Sequence, residues 1–429
     1  MGSGDGRSDR EVIHVRTRVL ALCAAALGAA ILVVATTTAS AASSSLTILG
    51  PWSGANAASF QAVLDGFEQA NPGVTVTYRP VSGDVAAAIT NGGAGGTDLA
   101  VLSLPADVTA LESMAKAGSV KSLDFALPTL HAHYAYSWQR IGSVGGTLVG
   151  LPFKATNDSA VWYDRHAFQV AGITAPRSWF ELQRAMKTLA ARGIAPFALS
   201  GGSVALPNLF ENVYLMLDGS QRYDKLAGGQ IAWTGSTVRS ALERMAQLTT
   251  GLAGGPSSLN GGYAQAVQTV FGTPAKAAMV PGGSAALPIL YAAKAVRPLS
   301  QFGVFAFPTI SGDVPRVIGD TDVVVMTKAS DTARSLIDYL ATPQAATIWA
   351  KRGGFFLSPN RGVDPNAYAS PAVRSLATSL AAANVFRLSI AATKSTQFEQ
   401  VFSKMLDAYV VNPASADTLL PQVSKAAAG

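Results

Sequence analysis

The chain has 429 residues, 49% of them apolar and 14% charged, with a formal net charge of +6. That length fits two or three domains, and that apolar content excludes a disordered chain. After residue 20 no dense run of lysine or arginine appears, so the basic balance leaves no electrostatic footprint for nucleic acid.

The N-terminus reads as a targeting segment. Arg7, Arg10, Arg16 and Arg18 form a basic region, and Val19 to Ala35 is an unbroken apolar run of 17 residues. Ala39-Ser40-Ala41 then supplies the small side chains that a signal peptidase needs, which predicts a signal peptide over residues 1–41 and an exported protein. The alternative is an uncleaved anchor, although the run is short for a membrane span. Arg16 and Arg18 are not adjacent, so a twin-arginine signal is not expected. Cys23 is the only cysteine, which excludes an intrachain disulfide.

From Leu46 the pattern is strand, loop, helix, strand. Leu46 to Leu49 reads as a short strand and Gly50-Pro51-Trp52-Ser53-Gly54 as a turn. Phe60, Val63, Leu64 and Phe67 then fall on one face of a helix. Asn71-Pro72-Gly73 stops that helix, and Val74 to Tyr78, rich in β-branched residues, forms the next strand. Such a unit implies a parallel pair with a right-handed crossover. A short helix over 84–90, a glycine-rich loop over 91–96 and a strand over 97–102 follow. The loop lacks the Lys-Ser/Thr of a phosphate cradle and leads into a strand, so it reads as a connection. His131 and His133 flank Ala132, but two ligands do not make a metal site, and an ordinary loop is the reading kept.

Gly150 to Asp164 joins two apolar runs through Pro152 and a polar segment, Lys154 to Ser159. Proline cannot donate a ladder hydrogen bond and restricts the residue before it. Strand, polar crossover and strand is how a chain leaves one α/β lobe and enters another. Beyond it, Ser178 and Glu181 form a capping box, Leu182, Met186 and Leu189 line one helix face, and Gly193 ends the helix. Residues 194–199 read as a strand and 208–217 as a helix. Phe302 to Phe307 is a strand ending at Pro308, and Val323 to Met326 another. Asp331 is expected to cap a helix with Ala333, Leu336, Ile337 and Leu340 buried, and Thr342-Pro343 to start the next. Helices over 371–380 and 398–410 close the chain.

The order and spacing of these segments resemble the extracellular solute-binding proteins of ABC importers, in the branch that includes the maltose-binding type. The residues that carry the resemblance are the opening unit with its Asn71-Pro72-Gly73, Pro176-Arg177-Ser178-Trp179-Phe180-Glu181-Leu182, the Gly193 to Pro196 segment, and Ala278-Met279 leading to Gly283. Phe302 to Pro308 and the run from Ala341-Thr342-Pro343 to Gly353-Gly354-Phe355-Phe356 complete it. Together they span roughly Leu46 to Ala427. The resemblance implies an α/β, two-lobe periplasmic-binding-protein type II fold, each lobe a mixed sheet flanked by helices. Residues 42–153 and 309–354 would form lobe 1, and residues 154–308 and 355–429 lobe 2, with hinges near Lys154, Pro308 and Gly354. It further implies a small solute, most readily a sugar or oligosaccharide, captured between the lobes and passed to permease subunits in separate chains. No cofactor or metal is implied, and the mature protein is expected to be monomeric. Many relatives carry a lipid-modified cysteine at the end of the signal peptide. Here Leu22 precedes Cys23, and the cysteine opens the apolar run, so Cys23 reads as signal core.

A sugar offers an apolar ring face and a rim of hydroxyls, so its site needs an aromatic plane and a few fixed polar groups. Near the expected crossings the possible planes are Trp52, Trp162, Phe355 and Phe398, with Trp162 and the neighbouring Phe356 read as core. The polar candidates are Ser53, Ser103, Lys154, Asn157, Asn208, Glu211, Asp320 and Asp322. Ser284-Ala285-Ala286 follow Gly283 where many sugar binders place a tryptophan, so the resemblance adds Gly283 and Ser284 with that platform missing. Lys154 is the sharpest choice, because a hinge lysine can hold an anion such as the phosphate of a glycerol or sugar. That makes a polyol or glycerophosphate binder the second reading. A secreted carbohydrate-active enzyme is the third. It would need two facing carboxylates, and no local motif pairs Glu211 with another acid. No nucleophile elbow, zinc-protease or Walker motif is present.

Overall fold

The computed structural model describes residues 44–90, 96–202, 205–292, 299–312 and 314–428. The expected signal peptide, Cys23 and most of the glycine-rich loop lie outside them. The first part of the chain runs β1 (Ser44–Gly50), α1 (Gly54–Ala70), β2 (Val74–Pro80), α2 (Val85–Thr90), β3 (Leu99–Leu104), α3 (Val108–Lys116), α4 (Leu127–His133) and α5 (Tyr136–Ile141). The small hairpin β4 (Ser143–Val144) and β5 (Thr147–Leu148) precedes β6 (Gly150–Ala155) and β7 (Ala160–Asp164). Then come α6 (Arg165–Ala171), α7 (Trp179–Ala190), α8 (Ala205–Ala227), α9 (Ser236–Leu248), α10 (Tyr263–Phe271), β8 (Met279–Pro281) and α11 (Leu287–Ala292). The last part is β9 (Phe302–Ala306), β10 (Arg316–Ile318), β11 (Thr321–Met326), α12 (Asp331–Leu340), α13 (Pro343–Arg352), α14 (Pro371–Ala382), β12 (Val385–Arg387), α15 (Ile390–Thr393), α16 (Thr396–Val411) and α17 (Ala416–Ala427).

Two sheets organise these elements. The larger has the order β2-β1-β3-β11-β6. Within it β1 is parallel to β2 and β3, whereas β11 is antiparallel to β3 and β6. The smaller, β8-β7-β9, is antiparallel. Their buried apolar residues fall into two main clusters, the first of which also takes in Trp162 and Phe302 of the smaller sheet. Phe60, Val63, Leu64 and Phe67 of α1 are buried with Trp349 and Phe153 in the first. Phe210, Trp233, Phe398 and Phe402 fill the second.

The chain crosses between the sheets along a hydrogen-bonded ribbon. Ala155 N–H donates to Leu357 O at 2.9 Å, Asp158 N–H to Ile318 O at 2.9 Å, and Gly319 N–H to Arg387 O at 3.1 Å. Short β10 pairs in parallel with β12 beside this ribbon. The approach needs glycine at Gly319, where a Cβ would overlap the Thr156 carbonyl and hydroxyl oxygens. On the other side, the β6–β11 register shifts between Asp322 and Val323, opposite Pro152, which has no N–H to give the ladder.

Several local expectations are corrected. Residues 194–199 do not form a strand. Pro196 lacks a donor, and the segment makes only the single parallel bridge Phe197–Met279. Ser330, not Asp331, caps α12, accepting from Ala333 N–H at 3.1 Å. Glu181 reaches back to Arg177 N–H at 2.7 Å instead of to that of the cap residue Ser178. The helix expected from Asn208 starts at Ala205 and is broken at Gly219, whose φ of 79° lies in the left-handed region. Thr342 does cap α13 ahead of Pro343, as expected.

Candidate functional site

Register builds the floor of the site. Asp322, near the start of β11, stands directly opposite Ser103 on β3 and Lys154 on β6. Its carboxylate therefore receives Ser103 Oγ–H at 2.7 Å and Lys154 Nζ at 3.2 Å. The Trp52 indole N–H, arriving from the turn after β1, donates to it at 2.8 Å. An opposed charge pair on neighbouring strands is the sheet's own way of placing such groups. Asp107 accepts from Ser103 N–H at 2.7 Å and fixes the end of β3. Its carboxyl is pushed up by burial, with the Ser103 N–H pulling it down and Asp84 and Asp322 adding a smaller upward push.

Asp320 lies one step along the ribbon. Its N–H donates to Thr156 Oγ1 at 2.7 Å, and Thr156 Oγ1 donates to Asp158 Oδ2 at 3.1 Å. The Asp320 carboxyl is pushed up to about 6, first by surrounding protein, then by the Asp322 charge, with Lys154 opposing. Its side chain still meets solvent, so water screens much of that push. Asp158 is pushed well above the usual carboxylate range by burial and by Asp320. A cavity of about 270 Å³ sits on this floor, lined by Ser103, Pro105, Lys154, Thr156, Asp320 and Asp322 among others. A larger groove of about 830 Å³ lies elsewhere, against β9, the start of β10 and α14, and holds none of the sequence candidates.

The structure thus gathers Ser103, Lys154, Asp320 and Asp322, and disperses the rest. Trp52 is not an open plane. It is 4% exposed, edge-on to Phe60 and Trp349 at centroid distances of 4.8 Å, and its N–H is spent on Asp322. Phe398 is 0% exposed, stacked on Phe402 and beside Trp233, and is core. Trp162 is core as read, with its indole N–H on Gly283 O at 2.8 Å. Asn157 is 0% exposed and acts as a fastener. Its side-chain amide donates to Leu376 O at 3.0 Å and Ser379 Oγ at 2.6 Å, and its own N–H to Ser284 Oγ at 2.8 Å. Ser284 is buried by that contact, and a Cβ on Gly283 would overlap the Asn157 carbonyl, so both are structural.

Glu211 is likewise turned inward, at 0% exposure. Its carboxylate accepts from Ile390 N–H and Ala391 N–H, each at 2.9 Å, from Tyr223 O–H at 2.7 Å and from Ser389 Oγ at 3.1 Å. It thereby caps the start of α15. Asn208 is half-buried and holds Asn212 through its carbonyl and side-chain oxygens at 2.9 and 3.0 Å. Ser53 is exposed at the start of α1 with a hydroxyl that makes no capping bond. Phe355 is half-buried and meets Tyr291 of α11 edge-on at 5.2 Å. Tyr291, 41% exposed, is an aromatic the sequence reading did not single out; Thr156 and Asp158 are polar groups it also missed. Alternation along Lys154-Ala155-Thr156-Asn157-Asp158 was the available signal, since it puts residues 154, 156 and 158 on one face. His131 is hydrogen-bonded to Gln139 at 2.9 Å, and no group of three or more metal-ligating side chains occurs among the described residues. Nor, among them, is any helix long and apolar enough to cross a membrane.

The alpha-glucosides-binding periplasmic protein AglE of Rhizobium meliloti is 27% identical over 370 residues, covering 80% of this chain and 78% of its own. The osmoprotective compounds-binding protein GgtB of a Synechocystis strain is 24% identical over 358 residues, covering 80% and 82%. Among solved structures, the bacterial solute receptor AcbH, described as having an exclusive preference for β-D-galactopyranose, superposes with a TM-score of 0.74 at 16% identity. That likeness covers 90% of this chain and 97% of the other, and shows the type II periplasmic-binding-protein fold. The profile of one family, the bacterial extracellular solute-binding proteins, matches residues 51–347, and the chain belongs to that family.

Proposed function

We propose that this protein, the substrate-binding component of an ABC importer, captures a small carbohydrate on the floor formed by Ser103, Lys154, Thr156, Asp320 and Asp322. The observation that carries the reading is the convergence of β3, β6 and β11 on one concave polar cavity beside the crossings. Hydroxyls need fixed acceptors and donors of this kind. Tyr291 and Phe355, half-exposed rings that meet edge-on, would supply the apolar ring face. The named preferences of the relatives, alpha-glucosides for AglE and β-D-galactopyranose for AcbH, point to the same class.

The lobes divide at the ribbon. One is built on the five-stranded sheet and the other on the three-stranded sheet, and solute touching both favours closure. Because Lys154 is paired with Asp322, the glycerophosphate reading loses its free cation. Glu211, committed to α15, supplies no catalytic carboxylate, and the protein acts as a binder without turnover. Release after Ala41 frees the chain outside the cytoplasmic membrane, and it hands its solute to separate permease subunits.

The test is a thermal-shift screen of residues 42–429 against neutral mono- and oligosaccharides, polyols, glycerophosphodiesters and amino acids. A solute that binds only the native state raises the midpoint, by about 2.7 kcal/mol of added stability at a hundred times its Kd. The expected result is a shift with at least one saccharide that is recovered chemically unchanged. Shifts confined to amino acids, or cleavage of the saccharide, would overturn the assignment.

A further inference from the structure

The floor carries one carboxylate more than its cation answers. Lys154 and Asp322 lie 3.2 Å apart, and Asp322 is also held by Trp52 and Ser103, so these two charges are spent on each other. Asp320 remains. It lines the same cavity with an exposed side chain, and among the described residues no donor is within hydrogen-bonding distance of its carboxylate. Its backbone is fully engaged, the N–H with Thr156 Oγ1 at 2.7 Å and the carbonyl with Thr156 N–H at 2.9 Å, so the side chain is held in place. Among the described residues Lys154 is the only cation in the lining, while Asp107 and Asp158 stand just behind it.

An ionised acceptor without protein donors, in a concave site with no uncommitted cation, rewards a ligand that brings charge-assisted donors and penalises one that brings another anion. We infer that Asp320 selects the charge of the solute, so that the cleft prefers an amino sugar to its neutral parent and rejects the phosphorylated sugar. The raised Asp320 carboxyl accords with this, since a cation placed beside it relieves the like-charge push from Asp322. This inference rests on the carbohydrate reading above.

Isothermal titration at pH 7 with glucose, galactose, their 2-amino-2-deoxy derivatives and their 6-phosphates tests it. The expected result is an amino sugar binding roughly tenfold or more tightly than its parent, with no measurable binding of either phosphate. In Asp320→Asn the amino and neutral sugars should bind alike. Neutral sugar bound as tightly as amino sugar, or phosphate bound at all well, overturns the charge selection and leaves the carbohydrate reading intact. Silence from all six, with another saccharide giving a thermal shift, overturns the charge selection alone, and silence in both experiments overturns both readings. An Asp320→Asn variant that keeps the amino-sugar preference assigns it to another group and also overturns the inference.

Discussion

Asp322 is the group on which the site's geometry depends most, and its replacement by asparagine makes a quantitative test. Three donors meet its carboxylate, at 2.7, 2.8 and 3.2 Å. Asparagine retains one acceptor oxygen, and its amide N–H₂ then faces at least one donor. Hydrogen bonds to charged groups contribute about 1.5–3 kcal/mol each, so losing two amounts to about 4 kcal/mol. Unfolding entropy of about 2.1 cal/mol/K per residue gives about 0.8 kcal/mol/K for a body of this size, which converts the loss into a Tm drop of about 5 °C. Scanning calorimetry measures it directly. The loss should be coupled to Lys154, because removing both charges leaves none unpaired. Asp322→Asn with Lys154→Met should therefore be more stable than the sum of the single changes by about 1–3 kcal/mol. An Asp322→Asn protein melting within about 1 °C of the parent, or strictly additive single changes, would refute the view that this carboxylate ties β1, β3 and β6 together.

Two further outcomes are expected. Glu211→Gln should destabilise the protein by about 3 kcal/mol, because its amide faces buried N–H donors at the start of α15. Burial raises the folded-state Glu211 carboxyl above its ordinary 4.5, outweighing the donors, so the folded state holds the proton more tightly than the unfolded state. Stability from this group is then greatest below about pH 4.5 and declines as pH rises through the folded-state value. The Tm gap between parent and pH-insensitive glutamine should narrow over that window, and a gap that widens with pH contradicts the assignment. Tyr291→Ala should weaken saccharide binding about tenfold with little change in Tm, whereas Phe398→Ala should cost about 3–5 kcal/mol of stability and leave affinity unchanged. The reverse pattern, read by calorimetry and titration on the same samples, would exchange their roles.

What was legible in the sequence was local. The α1 face of Phe60, Val63, Leu64 and Phe67, its stop at Asn71-Pro72-Gly73, and the Thr342-Pro343 start of α13 all follow from neighbours a turn or two away. Residues 194–199 looked equally extended, but Pro196 left them with a single bridge. The site candidates divide on the same ground. Lys154 and Asp322 were visible as polar residues at the ends of apolar strands. That they neutralise each other depends on register across 168 positions. Glu211 reads as helix surface until the segment 179 residues later arrives to be capped. Trp52 and Phe398 are aromatics near crossings, as a sugar platform would be, and only packing shows that both faces are covered. Thr156 and Asp158 lie in the polar segment between the two apolar runs, and only the pairing of that segment with Asp320 turns them toward the site.

The strand order β2-β1-β3-β11-β6 has a consequence for how the molecule is made. β11 is inserted between β3 and β6, and it comes from residues 321–326, long after either neighbour has been synthesised. Until it arrives, β3 has one open edge and β6 has no place in the sheet. The first lobe therefore cannot close before residue 326 is available, and contacts of such sequence separation form slowly. Completion waits for the whole second sheet, β7 to β9, to be threaded in between. Unpaired edges in this interval are where self-association would begin, so the interval before β11 docks is when the chain most needs a chaperone.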